Sequence, residues 1–255
     1  MHDDQTMYFK NIASGSKGNS TLIWDSDTLL IFDFGISMKK LSENLESLGI
    51  KEKIVSVFIS HEHTDHASGI KSIIKKMNPD VYTRYMTSTA LNIKSYDIDG
   101  GITLGNFEVV DFPVSHDAVD PIGFSILWEG RKISIVSDLG TVSEEVINKI
   151  KDSDILSFEA NHDVEMLKHG SYPFPLKKRI LSDLGHLSNE QSASAIGSTS
   201  NEDTEIILSH LSQHNNKPEI ALSQIQSYLE NRSISYKSIE CADQERGSFI
   251  HSLKK

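Results

Sequence analysis

The chain has 255 residues, of which 38% are hydrophobic, so it is long enough to bury a substantial core. Its formal net charge of −11 argues against general polyanion binding, because that needs a surface rich in Lys and Arg. The single cysteine, Cys241, excludes an internal disulfide framework and indicates a reducing compartment, so we expect a cytoplasmic protein. No apolar run approaches the ~20 residues that cross a bilayer, and the first residues lack the pattern of a signal peptide, so we expect no membrane partner.

The first half of the chain alternates short β-like runs with turn-forming and helical patterns. The strands predicted there are 7–13, 20–24, 28–35 and 55–60. A helix is predicted over 37–49, because its apolar residues recur every three or four positions and Gly49 follows as a C-cap. A second helix is predicted through 71–77.

The second half repeats this scheme of strands followed by helices. The strands predicted there are 107–115, 123–130, 131–138, 154–160 and 205–210. The helices predicted there are 142–151, 189–199 and 218–232. Glu129-Gly130 is typical of a hairpin turn. Because no linker separates the halves, the sequence predicts one α/β domain over residues 1–255, with two sheets packed face to face and helices outside.

A histidine-rich cluster follows the predicted strand 55–60 directly. His61, His63, Asp65 and His66 fall within six positions, although the whole chain has only 11 histidines. His61 and His63 are two apart in an extended segment and point the same way, whereas Asp65 and His66 enter a turn toward a helix and point elsewhere. Imidazole and carboxylate are the usual ligands of catalytic zinc and related ions. A cluster that divides into two pairs suits two metal ions, which can share a hydroxide and clamp the oxygens of a displacement.

Two other interpretations of this cluster are a His-rich surface loop and a structural metal site. Structural zinc prefers closed, cysteine-rich tetrahedra, and the one cysteine of this chain is far away in sequence. The pattern therefore favours a catalytic metal centre.

The segment HEHTDH (61–66) resembles the HxHxDH motif of the metallo-β-lactamase fold superfamily, whose fold is an αββα four-layer sandwich. Asp33, in Asp33-Phe34-Gly35, resembles the early D-x-G element, whose Asp orients the histidine loop. The resemblance implies two divalent ions, zinc first, with manganese or iron as alternatives. It implies the following ligands: His61, His63 and His116 for one ion, Asp65, His66 and His210 for the other, and Asp138 as the bridging carboxylate.

Four further segments narrow the family. SGSKGNS (14–20), FPVSHDAVDPIGF (112–124), FEANHDVEML (158–167) and GHLSNEQSA (185–193) resemble the YycJ/WalJ (VicX) family of metallo-β-lactamase-fold hydrolases, over nearly the whole chain. The chain is also similar, more distantly, to ribonuclease Z. That likeness implies that Glu159 tunes His186, and that His186 assists at the scissile phosphate or protonates the leaving group. The catalytic candidates are thus Asp65, Glu159 and His186.

Smaller features admit two interpretations each. The turn 14–20, with Ser14 and Asn19, could present N–H groups to a phosphate or be a purely structural turn. His162 could line the pocket without binding metal. The basic segments 71–76 and 175–180 could contact a polyanion, but a solvated helix face is favoured for both.

These observations predict a dinuclear metal-dependent phosphodiesterase and nuclease, and the family resemblance implies that it acts on DNA in the manner of a 5′-to-3′ exonuclease. One alternative is a small-molecule hydrolase that uses the same metals on an ester, thioester, lactone or cyclic nucleotide. Another is a non-catalytic partner in a signalling system. The chain is too short for an added β-CASP domain and lacks a long glycine/proline-rich arm, so processing of precursor tRNA is not expected. The oligomeric state stays open.

Overall fold

The computed structural model describes residues 5–51 and 54–255. The strands in this part of the chain are β1 (Thr6–Ala13), β2 (Ser20–Trp24), β3 (Thr28–Phe32), β4 (Ile54–Phe58), β5 (Asp80–Thr83), β6 (Tyr96–Asp97), β7 (Ile102–Leu104), β8 (Phe107–Pro113), β9 (Ile122–Trp128), β10 (Arg131–Val136), β11 (Ile155–Glu159), β12 (Glu205–Ser209), β13 (Ser238–Cys241) and β14 (His251–Lys254). The helices are α1 (Met38–Ser47), α2 (Thr64–Ala67), α3 (Ile70–Met77), α4 (Tyr85–Leu91), α5 (Glu144–Ile150), α6 (Val164–His169), α7 (Phe174–Ile180), α8 (Asn189–Thr199) and α9 (Pro218–Glu230). Within the described residues, no helix is long and apolar enough to cross a bilayer.

The strands form two mixed sheets of seven strands each. The order in the first sheet is β14-β1-β2-β3-β4-β5-β6, and in the second it is β13-β12-β11-β10-β9-β8-β7. In each sheet one half is antiparallel and the other is parallel: β3 through β6 run parallel in the first, and β10 through β13 in the second. The parallel halves matter for function, because ligands of α/β sheets bind at the carboxyl ends of parallel strands.

The two sheets pack face to face through an aromatic core. Phe32 and Phe58, from neighbouring strands of the first sheet, stack with ring centroids 4.9 Å apart, and Phe124 of the second sheet meets Phe32 edge-on at 5.1 Å. Separate apolar layers join each sheet to its helices, through Leu41 on one side and Ile225 on the other. The α/β class and the αββα sandwich expected from the sequence are confirmed.

Local signals account for several element boundaries. The helix predicted over 37–49 begins after Ser37, whose side chain accepts from the Lys40 N–H, and it ends in a Schellman motif in which Gly49 has φ 68°. The hairpin turn at Glu129-Gly130 is confirmed, with φ values of 48° and 82° at its two residues. The strand predicted over 28–35 ends earlier, at Phe32, because Asp33 takes a left-handed conformation.

Candidate metal centre

The carboxyl ends of the parallel strands bring the predicted site residues to one edge between the two sheets. Asp33 follows β3 and His61 follows β4, while Asp138, Glu159 and His210 lie at the ends of β10, β11 and β12. All five side chains are buried. Because parallel neighbours end at the same edge, residues that are far apart in sequence meet here.

Three of these residues adopt the left-handed backbone region that non-glycine residues rarely occupy. The φ angle is 60° at Asp33, 56° at Asp138 and 55° at His210. Such conformations cost about 1–3 kcal/mol each and persist where the surroundings fix them. At Asp33 and His210 the backbone N–H is fixed by a hydrogen bond, to the Phe58 carbonyl at 2.7 Å and to the Ser14 hydroxyl at 2.8 Å. The strand ends are therefore bent sharply at the positions where side chains enter the site.

The first predicted ligand group, His61, His63 and His116, is brought together. One ring nitrogen from each lies within 4.8 Å of the others, and His116 Nε2 is 3.3 Å from His63 Nδ1. The backbone bends at Glu62 between the two histidines, His63 is extended, and α2 begins at Thr64. The third member comes from the loop after β8.

The second predicted group, Asp65, His66 and His210, also converges. Asp65 Oδ2 is 3.5 Å from His66 Nε2 and 3.4 Å from His210 Nε2. Asp138 lies between the two groups: its carboxylate oxygens are 2.8 Å from His66 Nε2 and 3.8 Å from His116 Nε2. This is the position that the sequence resemblance gives to a bridging carboxylate.

The chemistry of this donor set fits divalent cations. Burial lowers the pKa of His61 well below its ordinary value, and the charge of His66 lowers it further, so the imidazole is neutral and carries a lone pair. Its Nε2 atom is buried and has no hydrogen-bond partner among the described residues. A buried polar atom without a partner is costly, and a metal ion would satisfy it. The described cluster therefore has the composition and spacing of a divalent-metal site.

The outer face of the cluster is held by Asp33 and Ser60. Asp33 Oδ2 accepts from His66 Nδ1 at 2.7 Å, and Asp33 Oδ1 accepts from the Ser60 backbone N–H at 2.8 Å. The Ser60 hydroxyl lies 2.9 Å from His61 Nδ1. These contacts fix the ring orientation and leave Nε2 of both histidines to face the centre. Asp33 thus lies where it can orient the ring of His66. Ser60 supports His61 in the same way, and sequence reasoning did not single it out.

Glu159 and His186 form a buried pair beside the cluster. Glu159 Oε1 accepts from His186 Nδ1 at 2.8 Å and from His210 Nδ1 at 3.0 Å. Burial alone would raise the pKa of Glu159, but the charges and hydrogen bonds of the two histidines outweigh it and lower the pKa to about 2. Burial likewise opposes charge on His186, yet Glu159 raises the pKa of His186 above its ordinary value. The pair therefore presents a protonated imidazole held by a carboxylate.

The turn 14–20 supports the ligands. The Ser14 hydroxyl accepts from the His210 backbone N–H, and Asn19 Nδ2 donates to Asp65 Oδ2 at 3.3 Å. Asn19 N–H also donates to the Asp65 carbonyl at 2.7 Å. This geometry favours the structural interpretation of the turn. His162 is buried near Glu159, and neither of its ring nitrogens has a hydrogen-bond partner among the described residues.

One acidic residue of this region was missed from the sequence. Asp117 follows His116 directly, and its Oδ1 atom lies 3.4 Å from His116 Nε2. It also accepts two hydrogen bonds from Arg179. The only sequence signal for Asp117 is its position next to a candidate ligand, and nothing in the sequence links it to a residue 62 positions away.

Comparisons with known proteins agree with this geometry. Residues 31–211 match the family model described as a beta-lactamase superfamily domain. The chain is 34% identical over 238 residues to the exodeoxyribonuclease YycJ of Bacillus anthracis, which covers 89% of this chain and 90% of that protein. It is 37% identical over 224 residues to the exodeoxyribonuclease WalJ of Streptococcus pneumoniae, covering 82% of this chain and 83% of that protein.

Solved structures share the fold at low sequence identity. The metallo-β-lactamase fold protein YhfI from Bacillus subtilis superposes with a TM-score of 0.71 at 16% identity, covering 98% of this chain and 100% of that one. The short form of human tRNase Z gives a TM-score of 0.62 at 15% identity, covering 97% and 100%. The family match, the identity to the two bacterial relatives and the fold agree, and the chain belongs to the YycJ/WalJ family of the metallo-β-lactamase superfamily.

Proposed function

We propose that this protein is a divalent-metal-dependent exodeoxyribonuclease that degrades DNA in the 5′-to-3′ direction. The observation that carries the proposal is the Glu159–His186 pair, with 2.8 Å between Oε1 and Nδ1, next to the donor cluster. Phosphodiester hydrolysis must protonate a departing alkoxide, and a histidine held in its protonated form by a buried carboxylate suits that task. The names of the two bacterial relatives, both exodeoxyribonucleases, support DNA as the substrate.

The proposed ligands divide the cluster between two ions, zinc in the first instance and manganese or iron as alternatives. They are His61, His63 and His116 for one ion, Asp65, His66 and His210 for the other, and Asp138 between them. The divalent ions, when bound, supply an activated water near neutral pH and neutralise phosphate charge.

The protein's own side chains then divide the remaining work. Glu159 holds the proton of His186 Nδ1, which leaves Nε2 as the atom that can pass a proton to the leaving oxygen. The His186 side chain is 14% exposed, so substrate can reach it. Asp65 Oδ2, between His66 and His210, is the carboxylate that we assign to orienting the reacting water.

The direct test is digestion of DNA labelled at either end by protein that has been stripped of metal and reloaded with zinc or manganese. We expect the 5′ label to be released first as a short product, while a 3′ label shortens progressively. Metal-loaded protein that leaves single- and double-stranded DNA uncut, but cleaves a small ester or thioester, would refute the proposal in favour of a small-molecule hydrolase.

The variant Asp138→Asn tests the bridging role. We expect loss of both activity and bound metal, because the carboxylate between the two groups becomes neutral. Asp152→Asn is the matched control, since Asp152 has a similar left-handed φ of 57° but is exposed and precedes β11 at its opposite end. A fully active Asp138→Asn protein would contradict the assignment.

We further propose that residues 1–255 form one domain and that the protein acts in the cytoplasm. The continuous aromatic core between the two sheets supports a single domain. One cooperative thermal transition and recovery in the cytoplasmic fraction are the expected results.

A further inference from the structure

Arg179 lies in the last turn of α7, and its guanidinium group makes hydrogen bonds along one edge only. Its Nε and Nη2 atoms donate to the Asp117 carboxylate at 2.5 and 2.8 Å. The side chain remains 47% exposed, and no acceptor for Nη1 is found among the described residues. Asp117 therefore holds one edge of the guanidinium and leaves the other edge open to solvent.

The pair lies at the rim of the metal centre. Asp117 Oδ1 is 3.4 Å from His116 Nε2, the nitrogen that faces the first ligand group. The hydrogen bond to Asp117 raises the pKa of Arg179, and the charges of Asp138 and Asp65 add to that effect. Asp117 thus links the guanidinium of Arg179 to the first ligand group.

The backbone around Arg179 is fixed to the loops that carry the site. The Ile180 carbonyl accepts from the His186 N–H at 2.9 Å, and the Leu184 carbonyl accepts from the Asp117 N–H at 3.1 Å. Gly185 packs against the end of α7 so closely that a Cβ atom there would lie 2.3 Å from the Arg179 carbonyl oxygen. The backbone at Arg179 is therefore fixed relative to the loops that carry His116 and His186.

The pair is partly exposed and therefore screened by solvent, and its bidentate contact with Asp117 occupies only one edge of the guanidinium. Arginine presents its donors in a planar fork that matches the oxygens of a phosphate. The last turn of α7 also carries Lys177 and Lys178, and its first turn has no acidic residue. This is a local concentration of positive charge in an acidic chain.

We propose that Arg179 binds a non-bridging oxygen of a DNA phosphate at the metal centre, with Asp117 holding the guanidinium in orientation. This inference rests on the proposed exodeoxyribonuclease function and deepens it. Arg179 would make the site select phosphodiesters over uncharged esters, because an uncharged ester offers no anionic oxygen to the open edge of the fork.

The test compares metal-loaded wild-type protein with Arg179→Met, Arg179→Lys and a matched control, Arg131→Met. Arg131 is 43% exposed and pairs with Asp154 at 2.9 Å, but it lies at the start of β10, whereas Asp138 follows the end of that strand. The measurement is kcat and KM on double-stranded DNA over a series of salt concentrations.

Arg179→Met should lower kcat/KM by about 10- to 100-fold, the range expected for one charge-assisted hydrogen bond. The slope of log(kcat/KM) against log salt should become shallower by about 0.7–0.9, the effect of losing one phosphate contact. Arg179→Lys keeps the charge but loses the fork, so it should keep the slope with an intermediate kcat/KM. Arg131→Met should match the wild type in both quantities.

Two results would overturn the inference while the proposed function stands. They are an active Arg179→Met protein with wild-type kcat/KM, and an impaired one with an unchanged salt slope, which would mean that Arg179 only supports Asp117. Wild-type protein that leaves DNA uncut would overturn the proposed function itself and this inference with it. Thermal melts of all four proteins show whether a loss of activity reflects unfolding instead.

Discussion

Replacing Glu159 by glutamine removes a negative charge from the buried part of the site and keeps the side-chain shape. Glu159 Oε1 accepts from His186 and His210, and Oε2 accepts from the backbone N–H groups of Leu139 and Leu187 at 3.2 and 3.1 Å. A carboxamide can accept on one atom only. At least two of the four donors therefore lose their acceptor.

The size of the effect follows from these four bonds. A buried donor left without an acceptor costs about 1–3 kcal/mol, so two of them predict a loss of about 2–6 kcal/mol in unfolding free energy. General acid catalysis contributes about 10²–10⁴ in rate, so we expect kcat to fall by at least about 100-fold with little change in KM. Metal affinity should weaken by about 10- to 100-fold, because Glu159 also orients His210.

The pH profile gives a sharper readout than the rate alone. Burial lowers the pKa of His186, and Glu159 raises it above the ordinary value. Without that charge the pKa falls, and the protonated form of His186 is lost at lower pH. The alkaline limb of the kcat profile should therefore move to lower pH in Glu159→Gln.

The assay is single-turnover digestion of end-labelled DNA at saturating metal across the pH range. Glu165→Gln is the control, since Glu165 is 68% exposed on the neighbouring helix α6. The reasoning is refuted if Glu159→Gln keeps the wild-type kcat and alkaline limb while His186→Ala is inactive.

Three further predictions concern the support of the site and the rest of the fold. Gly35→Ala should lose metal and activity, because a Cβ atom at Gly35 would lie 1.7 Å from the Asp65 carbonyl oxygen. A variant that still binds metal and cleaves DNA would contradict this prediction. Removal of the metal by a chelator should lower the melting temperature by about 5–11 °C, because an ion at 100 times its Kd adds about 2.7 kcal/mol to the unfolding free energy. An unchanged melting curve would contradict this prediction. Burial opposes charge on His251, but the hydrogen bonds that it donates to Glu205 and Glu240 raise its pKa to about 9. The resulting stability, about 2 kcal/mol after allowance for solvent screening, is present below the unfolded pKa near 6.5 and is lost as pH rises through about 9. Thermal melts of His251→Gln should lack this decline, and the same decline in both proteins would contradict the assignment.

The parts of the fold that were predicted are those whose signal is local. Strands β3, β11 and β12 are rich in apolar residues and buried along their whole length, which is why they stand out. The missed strands lack such a signal. Strand β6 has two residues, both exposed, and β14 buries only Leu253. Strand β14 exists because it pairs with β1, from Thr6 opposite Lys254 onward, and no local window contains both strands.

The site residues also differ in how local their sequence signal is. The HEHTDH cluster is contiguous and could be interpreted from its spacing. His116, Asp138 and His210 are single polar residues after apolar runs, so the residues alone could not distinguish them from ordinary loop residues, and the family resemblance was needed. Segment 175–180 was interpreted as a solvated helix face, and most of α7 is solvent-exposed. The sequence does not show that Arg179 contacts Asp117, because the two residues come together only in the folded chain.

The acidic composition and a DNA substrate are compatible because the relevant charges are local. Asp138 and Glu159, two ionised carboxylates of the cluster, are buried and face histidines. They therefore repel an approaching DNA strand less than exposed carboxylates would. Arg179, an exposed cation of α7, is tied to the rim at His116 through Asp117. A protein that tracks along a duplex needs a long basic groove, because its affinity grows with the number of phosphates that it neutralises. An exonuclease that holds only the phosphates next to the scissile bond needs fewer cations, and Arg179, paired with Asp117 beside His116, is placed to supply one of them.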